Sequence, residues 1–188
     1  MKYLAKKVCF CIVGKSGVGK SYIADKLTKE HSFVQVDSYT TRPRRDNECS
    51  GHIFITEEEA NNWPKEDIVA YGVYGGYQYF ATREQINNSD IYVVDKQGLK
   101  GLKKNYEGQE GTRALVIVEL KTGFFNRIKR LIRAQGFIKG IKRALRDIGK
   151  FKGLSKFDPL ILRNDLPEDA DFIVSILAAS KQASESFQ

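Results

Sequence analysis

The sequence predicts an α/β fold in which helices cover both faces of a parallel β-sheet. Three apolar runs, at residues 8–13, 90–95 and 114–120, have the length and the β-branched content of strands buried on both faces. Segments with the apolar spacing of helices follow these runs. Because strands that alternate with helices are joined by right-handed crossovers, we expect the three runs to pair in parallel in one sheet.

The turn after the first run carries the sequence GKSGVGKS, from Gly14 to Ser21. It fills every required position of the phosphate-binding pattern G-x-x-x-x-G-K-[ST] and stands between a strand and a helix. Such glycines let several backbone N–H groups converge on one anion at the positive end of a helix dipole. We expect Lys20 to reach the β- and γ-phosphates of a nucleotide and the Ser21 hydroxyl to bind Mg²⁺.

Shorter elements complete the predicted order. Three runs have strand character: 33–36, 52–56 and 160–162. A hairpin is expected over 67–80, with its turn at Gly75-Gly76. Five segments have helical character: 57–63 after a Thr56 cap, 82–88, 97–104, the basic segment 122–151 with a break near Gln135-Gly136, and 167–181. The last helix is predicted to turn five side chains inward: Ala170, Phe172, Ile173, Ile176 and Leu177.

The segment 38–51 is polar, lacks periodicity and is predicted to be a loop. It carries three arginines, and guanidinium groups bind phosphate oxygens in a bidentate geometry. A loop whose arginines face water explains the same residues equally well. Ligands of open α/β sheets bind beyond the carboxyl ends of the strands, so Gly14, Ser38 and Asp95 are expected to converge on one cleft.

Positive charge is concentrated in the second half of the chain. The 188 residues carry a net charge of +8, and between Lys121 and Arg163 there are thirteen Lys and Arg but only two acids, Asp147 and Asp158. This block is consistent with nucleic-acid binding, with an arginine-bearing lid over nucleotide phosphates, or with a solvated helix face. The charge pattern alone does not separate these three interpretations.

The length and composition of the chain limit the classes of protein to which it can belong. The chain is long enough for one domain with its own core, and no apolar run approaches the roughly 20 residues of a membrane span. The apolar run near the N-terminus leads directly into the phosphate loop, so we do not interpret it as a signal peptide. Three cysteines without metal-ligand spacing indicate a reduced, cytoplasmic setting.

Four blocks of this sequence, in the same order, resemble the guanylate kinase family of nucleoside monophosphate kinases. The phosphate loop GKSGVGKS and the arginine loop SYTTRPRRDNE are the specific ones. DKQG, which begins at Asp95, and the pair Asn164-Asp165 are supporting matches, and basic residues around Arg130, Arg133 and Arg143 match the family's lid more weakly. The resemblance covers nearly the whole chain and implies a phosphate-loop nucleoside triphosphatase fold with a small acceptor-binding subdomain and a helical lid.

The resemblance implies a single domain with three parts. The core would comprise residues 1–36, 90–126 and 149–188, the subdomain for the nucleoside monophosphate residues 37–89, and the lid residues 127–148. The activity it implies is ATP-dependent phosphoryl transfer with Mg²⁺, and GMP or dGMP is the expected acceptor. The implied partners are small nucleotides rather than nucleic acid or a membrane, and the chain is expected to be a monomer or a homodimer.

The resemblance also implies roles for individual residues. Donor contacts fall on the phosphate loop and a late asparagine: Gly14, Ser16, Gly17, Gly19, Lys20, Ser21 and Asn164, the last near the adenine. Acceptor contacts fall on Ser38, Arg42, Arg45, Tyr79 and Asp95. Charge on the transferring phosphoryl group would be neutralised by four catalytic cations: Lys20, Arg45, Arg133 and Arg143.

The sequence departs from the family where guanine is read. The family places a Glu about ten residues before its acceptor tyrosine and a Ser or Thr two residues after it, but here those positions are Ala70 and Ala81. A second phosphate-gripping tyrosine is missing, and His52 is the expected substitute. Because a site that hydrogen-bonds a base rejects analogues strongly, loss of these groups predicts relaxed or altered base choice, so a kinase for another nucleoside monophosphate is an alternative.

Two further alternatives come from different classes of protein. Guanylate kinase-like scaffolding domains bind phosphorylated ligands without catalysis, but they typically lose the phosphate-loop lysine, which is present here as Lys20. A phosphate-loop ATPase or an RNA kinase would use the basic block as a nucleic-acid track. The phenylalanines of that block, Phe124, Phe125, Phe137 and Phe151, are predicted to lie in the core rather than to stack on bases.

Overall fold

The computed structural model describes residues 7–44 and 51–186. Its strands are β1 (Val8–Val13), β2 (Ser38–Thr40), β3 (His52–Phe54), β4 (Ile68–Tyr74), β5 (Tyr77–Thr82), β6 (Ile91–Val93), β7 (Ala114–Lys121) and β8 (Leu160–Arg163). Its α-helices are α1 (Lys20–His31), α2 (Glu57–Asn61), α3 (Arg83–Asn87), α4 (Lys96–Asn105), α5 (Phe124–Gln135), α6 (Phe137–Arg146) and α7 (Pro167–Ser186). A 3₁₀ turn lies at Leu154–Phe157.

A parallel sheet with the strand order β6-β1-β7-β8 forms the centre of the fold. In its register Phe10 pairs with Ile91, and Val8 pairs with Ala114. The three apolar runs of the sequence therefore pair in parallel, as predicted. Their continuous apolar character follows from burial on both faces, because β1 is covered on each side.

Two hydrophobic clusters cover the two faces of this sheet. On one face, α1 and α7 pack onto the sheet through Ile23, Leu27 and Ile173. On the other face, α4 contributes Leu99 and Leu102. The predicted α/β class with helices on both faces is confirmed. One inward residue was wrong: Phe172 is 63% exposed, because the buried stripe of α7 runs through its neighbours Ile173 and Val174.

A second, mixed sheet has the order β3-β2-β5-β4 and comes from residues 38–82. The predicted hairpin is present, and its turn uses Gly75 and Gly76, which both have positive φ. Two predictions were wrong here. Residues 33–36 form only a single bridge at Gln35, and Ser38–Thr40, which we expected to be loop, forms a strand because β3 and β5 pair with it on either side.

The second sheet packs against α4. At the contact between this helix and strand β4, few side-chain atoms separate the two backbones. A Cβ on Gly101 would lie 2.9 Å from the carbonyl oxygen of Val69 and 3.3 Å from the Cα of Ala70, both on β4. Only glycine allows this separation. The contact brings β4 beside the start of α4, where Asp95 and Gln97 lie close to Gly72.

The basic segment forms two helices that pack on each other, α5 and α6. Gly136, with φ 78° and ψ 165°, separates them, so the predicted break is confirmed. The prediction that the phenylalanines of this block lie in the core was wrong for three of them: Phe124, Phe125 and Phe137 are 63%, 85% and 69% exposed. No helix in the described ranges is both long enough and apolar enough to cross a membrane.

Candidate active site

The phosphate loop joins β1 to α1 and curls around the N-terminus of that helix. Its backbone needs glycine: Gly17 and Gly19 have φ of 82° and 97°, and a Cβ on Gly19 would lie 2.4 Å from the side-chain nitrogen of Asn164. Such a turn leaves backbone N–H groups beside the N-terminus of α1, which is the positive end of the helix dipole, so the loop can accept an anion. The predicted strand, turn and helix are therefore present at the motif.

Lys20 is the first residue of α1, and its ammonium group folds back over the loop. Its Nζ donates to the carbonyl oxygen of Gly14 at 2.7 Å and to that of Lys15 at 3.2 Å. Burial and the nearby charge of Arg143 lower the pKa of Lys20, the carboxylates of Asp147 and Asp95 oppose the shift, and the resulting pKa is about 8. Burial therefore makes the charged form of Lys20 less favourable, and a polyanion bound at the loop would stabilise it.

Asn164 lies behind the phosphate loop and is 2% exposed. Its side-chain nitrogen donates to the backbone carbonyl oxygen of Val18 at 2.8 Å. Its backbone carbonyl oxygen accepts from Arg130 at 2.9 Å. Asn164 thus supports the loop and links it to α5. The adenine contact that we expected for Asn164 stays a prediction.

The segment that follows α5 contacts the loop through two side chains. Arg143 of α6 donates from Nε to the Ser16 hydroxyl at 3.1 Å. Asp147, directly after α6, accepts a hydrogen bond from the Ser16 N–H at 2.6 Å and is 3% exposed. The guanidinium group of Arg127 lies 3.6 Å from the same carboxylate oxygen. The predicted lid arginine Arg143 therefore reaches the phosphate loop.

A second polar cluster lies on β2, β3 and β5. The hydroxyl of Ser38 lies 3.0 Å from Nδ1 of His52, and Arg42 donates from Nε to the Tyr79 hydroxyl at 3.1 Å. The rings of His52 and Tyr79 meet edge to face with centroids 5.6 Å apart. Arg42 is only 6% exposed, so its cation is held in place by this environment rather than free in solvent. Four predicted acceptor residues are thus brought together: Ser38, Arg42, His52 and Tyr79.

Tyr92 of β6 joins this cluster to the central sheet. Burial raises the pKa of Tyr92, the carboxylate of Asp95 raises it further, and a hydrogen bond with Ser38 acts against both. The phenol therefore stays neutral. Asp95 begins α4 as its N-cap, and its carboxylate accepts from the Gly98 N–H at 2.8 Å.

The two alanines at the expected base-reading positions face each other. Ala70 of β4 and Ala81 of β5 are partners in the register and are 1% and 0% exposed. Neither side chain can hydrogen-bond a base. The polar side chains of Asp95 and Gln97 lie close to Gly72, which is on the same strand as Ala70.

One cavity of about 680 Å³ is lined both by the phosphate loop and by the second polar cluster, which we call the Arg42 cluster. The phosphate loop lines it with Gly14, Ser16, Lys20 and Ser21, and the second cluster lines it with Ser38, Arg42, His52 and Tyr79. Asp95, Arg143 and Asp147 complete its polar lining. The predicted convergence of Gly14, Ser38 and Asp95 on one cleft is confirmed, and the groups predicted to bind donor and acceptor phosphates line the same cavity.

Two predicted catalytic arginines are not seen in this lining. Arg45 lies outside the described residues, so its role stays a prediction. Arg133 is exposed on α5 and does not line the cavity. No motif in the sequence predicts the contact of Asp147 with the loop or that of Arg127 with Asp147. The available signal was that Asp147 is one of only two acids in a strongly basic block.

The chain resembles known proteins over most of its length. The sequence model of the guanylate kinase family matches residues 6–170. A guanylate kinase of Oceanobacillus iheyensis is 31% identical over 111 residues, which cover 54% of this chain and 54% of that protein. A guanylate kinase of Helicobacter pylori is 27% identical over 177 residues, which cover 87% of this chain and 82% of that protein. The chain thus spans about half the length of the first curated relatives that it matches.

Solved structures share the fold. The crystal structure of guanylate kinase from Anaplasma phagocytophilum matches with a TM-score of 0.63 and 24% identity, covering 94% of this chain and 88% of that one. A gluconokinase from Sinorhizobium meliloti matches with a TM-score of 0.51 and 16% identity, covering 96% of this chain and 95% of that one.

Proposed function

The chain belongs to the guanylate kinase family, and from this premise we propose that it transfers the γ-phosphoryl group of ATP to a nucleoside monophosphate, with GMP or dGMP as the first acceptor to test. The observation that carries the proposal is the cavity that the phosphate loop and the Arg42 cluster line together. Phosphoryl transfer needs two polyanions in line with their charge neutralised, and these two clusters offer a place for each.

In the proposed reaction a phosphate oxygen of the acceptor attacks the γ-phosphorus of ATP. The new P–O bond forms as the bond to the β-phosphate oxygen breaks, and ADP leaves with that bonding pair. The attacking oxygen is already anionic, so no general base is required. Lys20 and the loop N–H groups would hold the donor phosphates, and Arg42, Tyr79, Ser38 and His52 the acceptor phosphate. Arg143 lines the same cavity and contacts Ser16 of the phosphate loop, and it would neutralise charge on the transferring phosphoryl group.

Mg²⁺ fits the donor side of the cavity. The described residues contain no cluster of three or more His, Cys, Asp or Glu that could hold a metal ion. Mg²⁺ bound with nucleotides usually takes few protein ligands, since phosphates and waters supply the others. The exposed hydroxyl of Ser21 lines the cavity directly after Lys20 and can supply one oxygen ligand. When bound, the ion would neutralise charge on the donor phosphates.

This chain departs from the family pattern at the end of the site where the base of the acceptor would bind. With alanine at positions 70 and 81, the side chains that would read guanine through hydrogen bonds are absent from those positions. Asp95 and Gln97, which lie close to Gly72 on the same strand as Ala70, are polar groups that could contact the base instead. We therefore propose that binding depends mainly on the acceptor phosphate, and that discrimination between bases is weaker than in a site built around a base-reading glutamate.

The test is a coupled assay of ADP release with GMP, dGMP and each of the other common monophosphates in turn. We expect turnover with at least GMP or dGMP. Lys20→Ala should reduce kcat/KM for ATP by about 10²-fold or more, because it removes the cation from the donor phosphates. Lys15→Ala, in the same loop but outside the cavity lining, is the matched control and should stay near wild type.

Lack of turnover with every monophosphate would refute the kinase. Calorimetry with ATP and Mg²⁺ then separates the alternatives. A non-catalytic binding module would bind ATP poorly, whereas an ATPase of another kind would bind it and release ADP without any monophosphate.

A further inference from the structure

The carboxylate of Asp147 occupies an N–H group of the phosphate loop. Its Oδ2 accepts from the backbone N–H of Ser16 at 2.6 Å, and the residue is 3% exposed. A buried carboxylate needs partners, and a hydrogen bond that it accepts from a backbone N–H is strengthened by its charge. Asp147 therefore uses a binding element of the loop that, in the phosphate-loop motif, serves the phosphates of a nucleotide.

Cations of the loop and of the neighbouring helix surround the same carboxylate. Arg127 Nη1 lies 3.6 Å from Oδ2, and within the described residues this buried nitrogen makes no hydrogen bond. The negative charge of Asp147 also raises the pKa of Lys20 against the effect of burial. Asp147 thus acts electrostatically as an anion in a site built for anions. It satisfies that site only in part, since the distance to Arg127 is too long for a hydrogen bond.

A donor phosphate and this carboxylate cannot share the Ser16 N–H. Both are anions, and at hydrogen-bonding separation in a partly buried site their repulsion is large compared with thermal energy. Arg143, one turn before Asp147, holds the Ser16 side chain rather than its N–H. Arg143 can therefore keep a place beside the loop while Asp147 cannot.

The segment that carries Asp147 lies between two glycines suited to hinge motion. Gly136 precedes α6 and Gly149 follows Asp147, and each has a φ of 78°. A Cβ added at either position would meet no atom within 4 Å. Residues 137–148 thus lie between two positions where the backbone can turn without a neighbour obstructing it.

We propose that Asp147 is a positioning residue of the lid, which competes with the donor phosphate for the Ser16 N–H and leaves the phosphate loop when ATP binds. Binding of ATP is thereby coupled to movement of residues 137–148. The inference rests on the proposed role of the loop as the donor site.

The test is calorimetric titration of ATP with Mg²⁺ into the wild type, Asp147→Asn and Asp158→Asn. The amide of asparagine fills the same volume but accepts a weaker hydrogen bond and does not repel phosphate. We expect Asp147→Asn to lower Kd for ATP about tenfold. Asp158 is the other acid of the basic block and is exposed, so Asp158→Asn makes the same change of charge away from the loop and should leave Kd within about twofold.

Steady-state kinetics separate competition from a structural effect. In Asp147→Asn, KM for ATP should fall while KM for the acceptor stays constant. Asp147→Glu, which keeps the carboxylate, should restore the wild-type Kd for ATP. An unchanged or higher Kd in a folded Asp147→Asn protein would overturn the inference and leave a kinase that turns over normally. Failure of the wild type to bind ATP at all would instead refute the donor site and this inference with it.

A measurement with Asp147 in place decides the case if Asp147→Asn does not fold. Spin labels at Lys139→Cys on α6 and Lys29→Cys on α1 would report their separation, in a Cys49→Ser background; the other two cysteines are fully buried. We expect saturating ATP with Mg²⁺ to shift the distance distribution. An unchanged distribution would overturn the inference.

Discussion

The charge state of the Lys20 ammonium group depends strongly on its surroundings. Burial and the nearby charge of Arg143 lower its pKa, Asp147 and Asp95 limit the shift, and the pKa falls from 10.5 to about 8. A lysine of this kind is charged at neutral pH but loses its proton in mildly alkaline solution. Its charge is the property that a donor phosphate needs.

This gives a prediction for the pH dependence. Lys20 is protonated below about pH 8 and neutral above it, so kcat/KM for ATP should fall about tenfold per pH unit above that value. With ATP saturating, the bound phosphates favour the charged form, so the decline of kcat/KM for the acceptor should begin at a higher pH. A kcat/KM for ATP that stays constant to pH 9.5 would contradict this role.

Residues of the site differ in how far the sequence could predict them. Ser38, Arg42 and Tyr79 were placed by their resemblance to family motifs, and the structure brings them together. Asp147 and Arg127 match no motif, and their contact with the loop depends on how α5 and α6 pack. Such a contact joins residues distant in the chain, and no local pattern records it.

At the scale of elements, Asp90 connects three parts of the chain. Its carboxylate accepts from the N–H of Val34 at 3.0 Å, from Arg113 at 2.8 Å and from Lys181 on α7 at 2.8 Å. Burial alone would raise its pKa, but the hydrogen bonds from Lys181, Val34 and Arg113 outweigh burial and lower it. The start of β6 is thus tied to the chain after α1 and to the last helix.

We predict that Asp90→Ala lowers the free energy of unfolding by about 3 kcal/mol, because it leaves two partly buried cations without their carboxylate. Urea denaturation measures the loss. Since the native pKa lies below the ordinary value of 3.8, the contribution is present above that pH and is lost as the pH falls through the native pKa. Asp171→Asn, which removes an exposed ion pair, is the control and should change the midpoint little. Equal effects of the two variants would contradict the prediction.

Elements with strong local signals were predicted well, and those set by pairing were not. The cap at Thr56 and the glycine pair of the hairpin are local signals, and the structure contains both. The segment 33–36 has strand composition, but only Gln35 forms a bridge, with Ile91. Ser38–Thr40 has little strand character, yet it pairs on both edges. Pairing partners decide such segments, and partners come from elsewhere in the chain.

For the whole molecule, the contact of α4 with β4 determines how the second sheet stands on the first. Gly101 lies so close to β4 that a methyl group there would approach the carbonyl oxygen of Val69 to 2.9 Å. We predict that Gly101→Ala pushes the helix and the strand apart and lowers the free energy of unfolding by about 1–3 kcal/mol.

The same variant should raise KM for the acceptor more than KM for ATP, because the Arg42 cluster is built on the second sheet while the phosphate loop is built on the first. Thermal unfolding and steady-state kinetics measure the two effects. Lys104→Ala, exposed on the same helix, is the control and should leave both unchanged. A stable Gly101→Ala protein with unchanged KM values would show that the helix can move without altering the site.

The two thiols of β1 can report how often the central sheet opens. Cys9 and Cys11 are fully buried, and a hydrogen bond with Cys9, together with burial, keeps the pKa of Cys11 well above its ordinary value. Alkylating reagents attack thiolates, so these sulfurs can react only after the strand has come out of its layer. The rate at which they become modified in a Cys49→Ser background therefore times how often the middle of the molecule opens, without any added probe.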